Sequence, residues 1–151
     1  MMRIAPCDPQ SIGAWTALRH ELWPETSLSE HVAEAEAILG KPKEAMAFLA
    51  HDVQGAAAAF AEASLRHDYV NGCVTSPVAF LEGIYVRPAH RRQGIARLLV
   101  EAVEDWAKGI GCAELASDVE LHNTVSQGMH QAVGFEETER VVYYRKALRG
   151  R

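Results

Sequence analysis

Residues 80–106, FLEGIYVRPAHRRQGIARLLVEAVEDW, constrain this chain more than any other stretch. They open as a mostly apolar strand that ends at Val86 and carries a glycine at position 83. The polar turn Arg87-Pro88-Ala89-His90 follows, and Arg91-Arg92-Gln93-Gly94 then leads straight into a helix. On that helix Ile95, Leu98, Leu99, Ala102, Val103 and Trp106 recur at three- and four-residue spacing, which predicts one apolar face. A strand joined through a glycine-bearing turn to a helix N-terminus is an anion site. The first N–H groups of a helix lack internal partners, and the helix dipole favours negative charge there. The turn has neither the Lys-Ser/Thr ending of a nucleotide P-loop nor the three glycines of a dinucleotide fingerprint. It fits Arg/Gln-x-x-Gly-x-Gly/Ala, through Arg91, Gly94 and Ala96.

The rest of the chain arranges itself around this unit. Residues 3–5 read as a short strand, and Ile12, Trp15, Leu18, Leu22 and Trp23 mark a helix that Pro24 ends. Val32, Ala35, Ile38 and Leu39 mark a second helix, stopped by Gly40 and Pro42. Strands are expected at 45–50 and 56–65, joined by a hairpin turn at 52–55. The turn-rich stretch 66–77 has the length of a binding loop. Beyond the central helix, 112–119 reads as a strand, 123–133 as a helix and 138–146 as a last strand with the run Val141-Val142-Tyr143-Tyr144. A helix crossing between two strands makes them parallel. The whole chain, 1–151, therefore reads as one α/β domain (α+β) with a mixed, mostly antiparallel sheet flanked by helices.

Composition removes several classes of function. With 151 residues, 48% of them hydrophobic and 23% charged, the chain suits one folded domain. No apolar run is long enough for a membrane span and residues 1–6 have no signal-like hydrophobic region, so a cytoplasmic protein without a membrane partner is expected. A net charge of −5 argues against a nucleic-acid partner and suits a cationic substrate. Cys7, Cys73 and Cys112 form no Cys-x-x-Cys pair, which suits reduced thiols and gives no metal site.

The loop and its flanking strand and helix resemble the GCN5-related N-acetyltransferases (GNAT), which bind acetyl-CoA. The resemblance implies that the 80–86 strand is splayed from the 112–119 strand, with the acyl thioester in the gap. Backbone groups of Ile84, Tyr85 and Val86 would pair with the pantetheine arm, and one N–H would polarise the acetyl carbonyl. Backbone N–H groups of Arg92, Gln93, Gly94, Ile95, Ala96 and Arg97 would hold the pyrophosphate. Asn123 matches a family asparagine that contacts the coenzyme. His130 stands where many members carry the tyrosine that protonates the leaving thiolate. Tyr143, Tyr144 or water are the other sources of that proton.

Longer runs narrow the likeness. Trp23-Pro24, residues 66–73, Leu81-Glu82-Gly83-Ile84, Ala116-Ser117-Asp118 and residues 134–140 are similar to the aminoglycoside 6′-N-acetyltransferases. That family places its drug-holding aromatics and carboxylates at Trp23, Tyr69, Glu82, Asp118 and Glu139, and by resemblance the protein is a homodimer. The residue types suit the task, because carboxylates accept hydrogen bonds from ammonium and hydroxyl groups and aromatic rings cover sugar faces. Glu82 and Asp118 are the candidate catalytic bases, each also a binder of charge. Each aromatic has a plainer role open to it, Trp23 as core packing at a helix end and Tyr69 as a loop anchor. Two other functions share the coenzyme loop: acetylation of a polyamine or peptide amine, and a non-catalytic acyl-CoA sensor.

Overall fold

The computed structural model describes residues 2–150. In chain order the elements are β1 (Arg3–Pro6), α1 (Ile12–Leu22), α2 (Leu28–Leu39), β2 (Ala45–His51), β3 (Ala57–Arg66), β4 (Val78–Val86), α3 (Ile95–Gly109), β5 (Leu115–Ser117) and α4 (Thr124–Ala132). The strands form one sheet in the order β1-β2-β3-β4-β5, antiparallel until the last pair, which is parallel. Local chemistry sets the helix starts. Asp8 accepts from the N–H groups of Gln10 and Ser11 ahead of α1, and Ser27 accepts from Glu30 N–H to cap α2.

Helices cover both faces of the sheet, and the strand sequences show it. Phe48, Ala50, Ala59, Ala61 and Ala63 point toward α3 and meet Ile95, Leu99, Val100 and Val103. Ala47, Leu49 and Phe60 point the other way, against Trp15 and Leu18 of α1 and Ala35 of α2. With a helix on each side, β3 reads as a nearly continuous apolar run instead of an alternating one. The face that α3 buries is turned from the predicted one: Val100 and Ala107 lie inside, whereas Leu98 is exposed.

Two features shape the centre. Register runs Glu62↔Gly83 and then Ala63↔Leu81, so Glu82 is an extra, bulged residue between paired positions. On its other side β4 pairs with β5 only at Ala79↔Leu115, Phe80↔Ala116 and Leu81↔Ser117. Beyond Leu81 the two strands part, as expected of splayed strands.

The sequence reading fails at two places. β5 is limited to Leu115–Ser117, because the neighbouring backbone finds no further ladder. The expected strand at 138–146 is unpaired: among the described residues, nothing after Ala132 is helical or stranded, and 136–150 make no backbone hydrogen bond. Its Val142, Tyr143 and Tyr144 are exposed. Thr138 packs on Gly72, 2.5 Å from where a Cβ there would lie, so the chain passes the 66–77 loop as it leaves the sheet. No described helix is long and apolar enough to cross a membrane.

Candidate active site

The parting of β4 and β5 opens a V-shaped gap. Its apex is the Leu81↔Ser117 pair, and the next residues on the two strands are Glu82 and Asp118. Chain connectivity alone therefore sets both predicted carboxylates beside the apex. Their states differ. Glu82 accepts from Arg66 Nη2 at 2.9 Å and Nε at 3.3 Å and from the Ser64 hydroxyl. Asp118 is exposed, and among the described residues no hydrogen bond or ion pair engages it. Asp118 is thus the carboxylate with all its acceptor capacity free.

The apex is pinned by His130 of α4, which is 9% exposed. Its Nδ1–H donates to the Ser126 carbonyl at 2.8 Å, and its Nε2 lies 2.9 Å from the Ser117 hydroxyl, which also lies 3.2 Å from the Leu81 carbonyl. Phe135 packs on the imidazole with ring centroids 5.0 Å apart. A histidine so placed braces the strands where they separate. Tyr143 and Tyr144, the other residues considered as acids, are exposed on the departing C-terminal segment.

Past the apex, Ile84, Tyr85 and Val86 pair with β3 on one side only and leave the β5 side of their backbone open. The turn after β4 then has the backbone shape of an anion cradle. Arg92 has φ 65° and Gly94 has φ 77°, both in the left-handed region, the kind of backbone from which nests of N–H groups are built. Gly94 is also the N-cap of α3 and offers no side-chain cap, so the first N–H groups of α3, from Ile95, Ala96 and Arg97, stay available. The arginines divide their work. Arg91 donates to the Val86 carbonyl at 2.9 Å and Arg97 to the Ala132 carbonyl at 2.6 Å, so both brace the cradle. Asn123 caps α4, its Oδ1 accepting from Ser126 N–H at 3.1 Å, which leaves its amide N–H groups free to donate.

Of the predicted substrate residues, Trp23 joins Glu82. Its indole lies against Gly83, where a Cβ would come within 2.5 Å of the ring, so only glycine admits this approach. Phe60 meets the same ring edge-on at 5.9 Å. Tyr69 is 77% exposed on the 66–77 loop, and Glu139 is exposed on the C-terminal segment next to Thr138. Among the described residues, no hydrogen bond or ion pair ties either of them to Glu82, Asp118 or Trp23.

Sequence reasoning passed over Ser64 and Arg66, which hold Glu82, and a buried cluster behind Trp23. Arg19 Nη1 donates to Glu62 at 2.6 Å, Trp15 Nε1 to Glu62 at 2.7 Å and Arg19 Nε to His31 Nδ1 at 3.2 Å. Burial pushes the Glu62 carboxyl up from its ordinary value, against the opposing pull of Arg19. The one signal in the sequence was a lone carboxylate inside the alanine-rich strand AAAFAEASLR.

Comparison with known proteins agrees with this geometry. Residues 14–135 match the acetyltransferase (GNAT) family. An aminoglycoside N(6′)-acetyltransferase type 1 of Serratia marcescens is 54% identical over 96% of this chain and 99% of its own. One from Acinetobacter baumannii is 48% identical over 97% and 99%. Among solved structures, AAC(6′)-Iy in complex with the bisubstrate analogue CoA-S-monomethyl-acetylneamine superposes with a TM-score of 0.93 at 47% identity, covering 98% of this chain and 99% of that one. A glucosamine-6-phosphate N-acetyltransferase from Arabidopsis thaliana shares the fold at TM-score 0.74 and 16% identity. The splayed strands, the uncapped α3 and these near-full-length identities place the chain in the GNAT family and, within it, among the aminoglycoside N(6′)-acetyltransferases.

Proposed function

We propose that this protein transfers the acetyl group of acetyl-CoA to the 6′-amino group of aminoglycosides, directly within a ternary complex, and so confers resistance. The observation that carries the reading is the gap past Leu81↔Ser117, with two carboxylates beside its apex and a helix N-terminus without a side-chain cap following β4. The nest at Arg92–Gly94 and the N-terminus of α3 take the pyrophosphate, supported by the Asn123 amide. The open edge at Ile84, Tyr85 and Val86 takes the pantetheine, and an N–H on that edge faces the carbonyl oxygen where charge develops.

Asp118 removes the proton from the attacking amine, directly or through one water, because its carboxylate is free. Glu82, shared with Arg66, binds substrate charge and orients the amine. His130 has both ring nitrogens engaged at the apex, so the thiolate takes its proton from water, helped by an ordinary thiol pKa of about 8.5. No metal enters the scheme. The anionic balance of the chain, −5, favours approach of a polycation. Three free cysteines and the use of acetyl-CoA suit the cytoplasm.

The active form is a homodimer in which the C-terminal segment of each copy lies along the other. Its support is that one chain carries both an unpaired segment of strand-forming composition, 138–146, and an unpaired sheet edge, β5. A groove beside that edge is lined by Val100, Leu115, Val133 and Phe135.

Thiol release from acetyl-CoA tests the reaction. It is measured with an aminoglycoside bearing a 6′-amine, one bearing a 6′-hydroxyl, spermidine and a short peptide. Release with the 6′-amine compound alone is expected. Release with spermidine or peptide alone keeps the acyltransferase and discards the drug. Binding of coenzyme without release on any acceptor makes the protein a sensor.

A further inference from the structure

The chemistry above leaves unused a polar cluster buried behind Trp23. Arg19, on α1, and Glu62, on β3, are each 4% exposed, and His31, on α2, is fully buried. Arg19 spends its whole guanidinium there: Nη1 on Glu62, Nη2 on Glu34 and Nε on His31. A guanidinium has only donors, so His31 Nδ1 accepts and the ring hydrogen sits on Nε2. That Nε2–H donates to the Trp23 carbonyl at 3.0 Å. The Trp23 N–H in turn donates to the Arg19 carbonyl at 2.8 Å. The His31 ring stacks on the indole at 6.4 Å and 21°, and the Arg19 guanidinium carbon lies 5.0 Å from its centroid. Both backbone groups of Trp23 and its inner ring surroundings therefore belong to one cluster.

The cluster also reaches the strand side of the same ring. Glu62 is the register partner of Gly83, the residue against which the indole rests and which follows the bulged Glu82. Burying an ion pair is no better for stability than an apolar core of the same volume, and its best-attested use is to specify one arrangement. Here the arrangement specified is the rotation of an indole at the edge of the gap.

We propose that Arg19, Glu62 and His31 are positioning residues for aminoglycoside binding, holding Trp23 as a fixed wall beside Glu82. This rests on the reading of Trp23 as a substrate wall, and the test separates the two. Steady-state constants are measured for both substrates in Trp23→Ala, His31→Leu and His31→Gln, and in the double variant Arg19→Met/Glu62→Met, which removes both charges and leaves none buried alone. Glutamine presents an acceptor and a donor at nearly the spacing of the two imidazole nitrogens, so it serves as the conservative replacement. The expected result is an aminoglycoside KM raised about tenfold in His31→Leu and in the double variant, with the acetyl-CoA KM within about twofold and near-parental values in His31→Gln. If Trp23→Ala raises the aminoglycoside KM but neither network variant does, the positioning role is wrong. If the network variants change both KM values alike, or lower only the active fraction, the cluster is structural and the proposal falls. An unchanged aminoglycoside KM in Trp23→Ala removes the substrate wall, and the inference with it.

Discussion

Two carboxylates beside one apex invite the same description, yet their neighbours separate them. Asp118 has no partner among the described residues, whereas Glu82 is held by Arg66 and Ser64. Arg66 is itself fixed, its guanidinium carbon 3.6 Å from the Phe80 ring centroid, so the pairing on Glu82 is preset. Asp118→Ala is expected to cost about 2–4 kcal/mol in transition-state terms, roughly 30- to 1,000-fold in kcat/KM, with most of the loss in kcat. Glu82→Gln, by contrast, should raise the aminoglycoside KM and spare kcat to within roughly threefold. Steady-state kinetics on both variants decides it, and parental turnover in Asp118→Ala would remove that residue as base. His130 gives a separate prediction. As a brace it stabilises the apex through two hydrogen bonds, so His130→Phe should lower stability by about 1–3 kcal/mol and leave kcat within about threefold. A fall in kcat of a hundredfold with an unchanged melting temperature would make it the proton donor instead.

At the scale of elements, the gap depends on one strand with a glycine in it. Gly83→Ala puts a methyl group 2.5 Å from the Trp23 ring, and the indole can move outward only by leaving Phe60 and His31. The expected outcome is a raised aminoglycoside KM with normal coenzyme affinity, read by titrating each substrate separately. Gly94→Ala is the complement: open space surrounds the site, but φ 77° costs an L residue about 1 kcal/mol and tightens the cradle, so coenzyme KM rises first. These two glycines were legible because a glycine inside a strand and one before a helix each have few explanations. The helices were legible for the same kind of reason, a repeated spacing of apolar residues. The bulge itself falls on Glu82, one residue before that glycine. The cluster behind Trp23 was illegible, because Arg19 and Glu62 are 43 positions apart and meet only when α1 packs on β3. A polar residue on a helix otherwise reads as its solvent face.

The whole molecule carries the largest discrepancy between sequence and single chain: a strand-forming segment that finds no sheet. Val141, Val142, Tyr143 and Tyr144 have the composition of a paired strand, yet Tyr143 is 86% and Tyr144 91% exposed. High strand propensity makes no strand here, because a strand is stable only against a partner, and propensity says nothing about what provides one. Within one chain Thr138 packs against Gly72 of the 66–77 loop, and no residue of the segment pairs with β5. Two copies related by a twofold axis answer both needs at once, since the same edge and the same segment occur in each. In that arrangement Glu139 would travel with the exchanged segment. Removal of residues 138–151 should convert a dimer to a monomer in light scattering and expose Leu115 and Phe135. Mixing decides between exchange and a simple fold-back. Leu115→Cys protein co-refolded with Tyr143→Cys protein, both in a Cys73→Ser background, should yield an oxidised heterodimer of the two chains. The double variant Leu115→Cys/Tyr143→Cys would instead close within one chain if the segment returned to its own sheet, and a monomeric, internally linked product would end the exchange model.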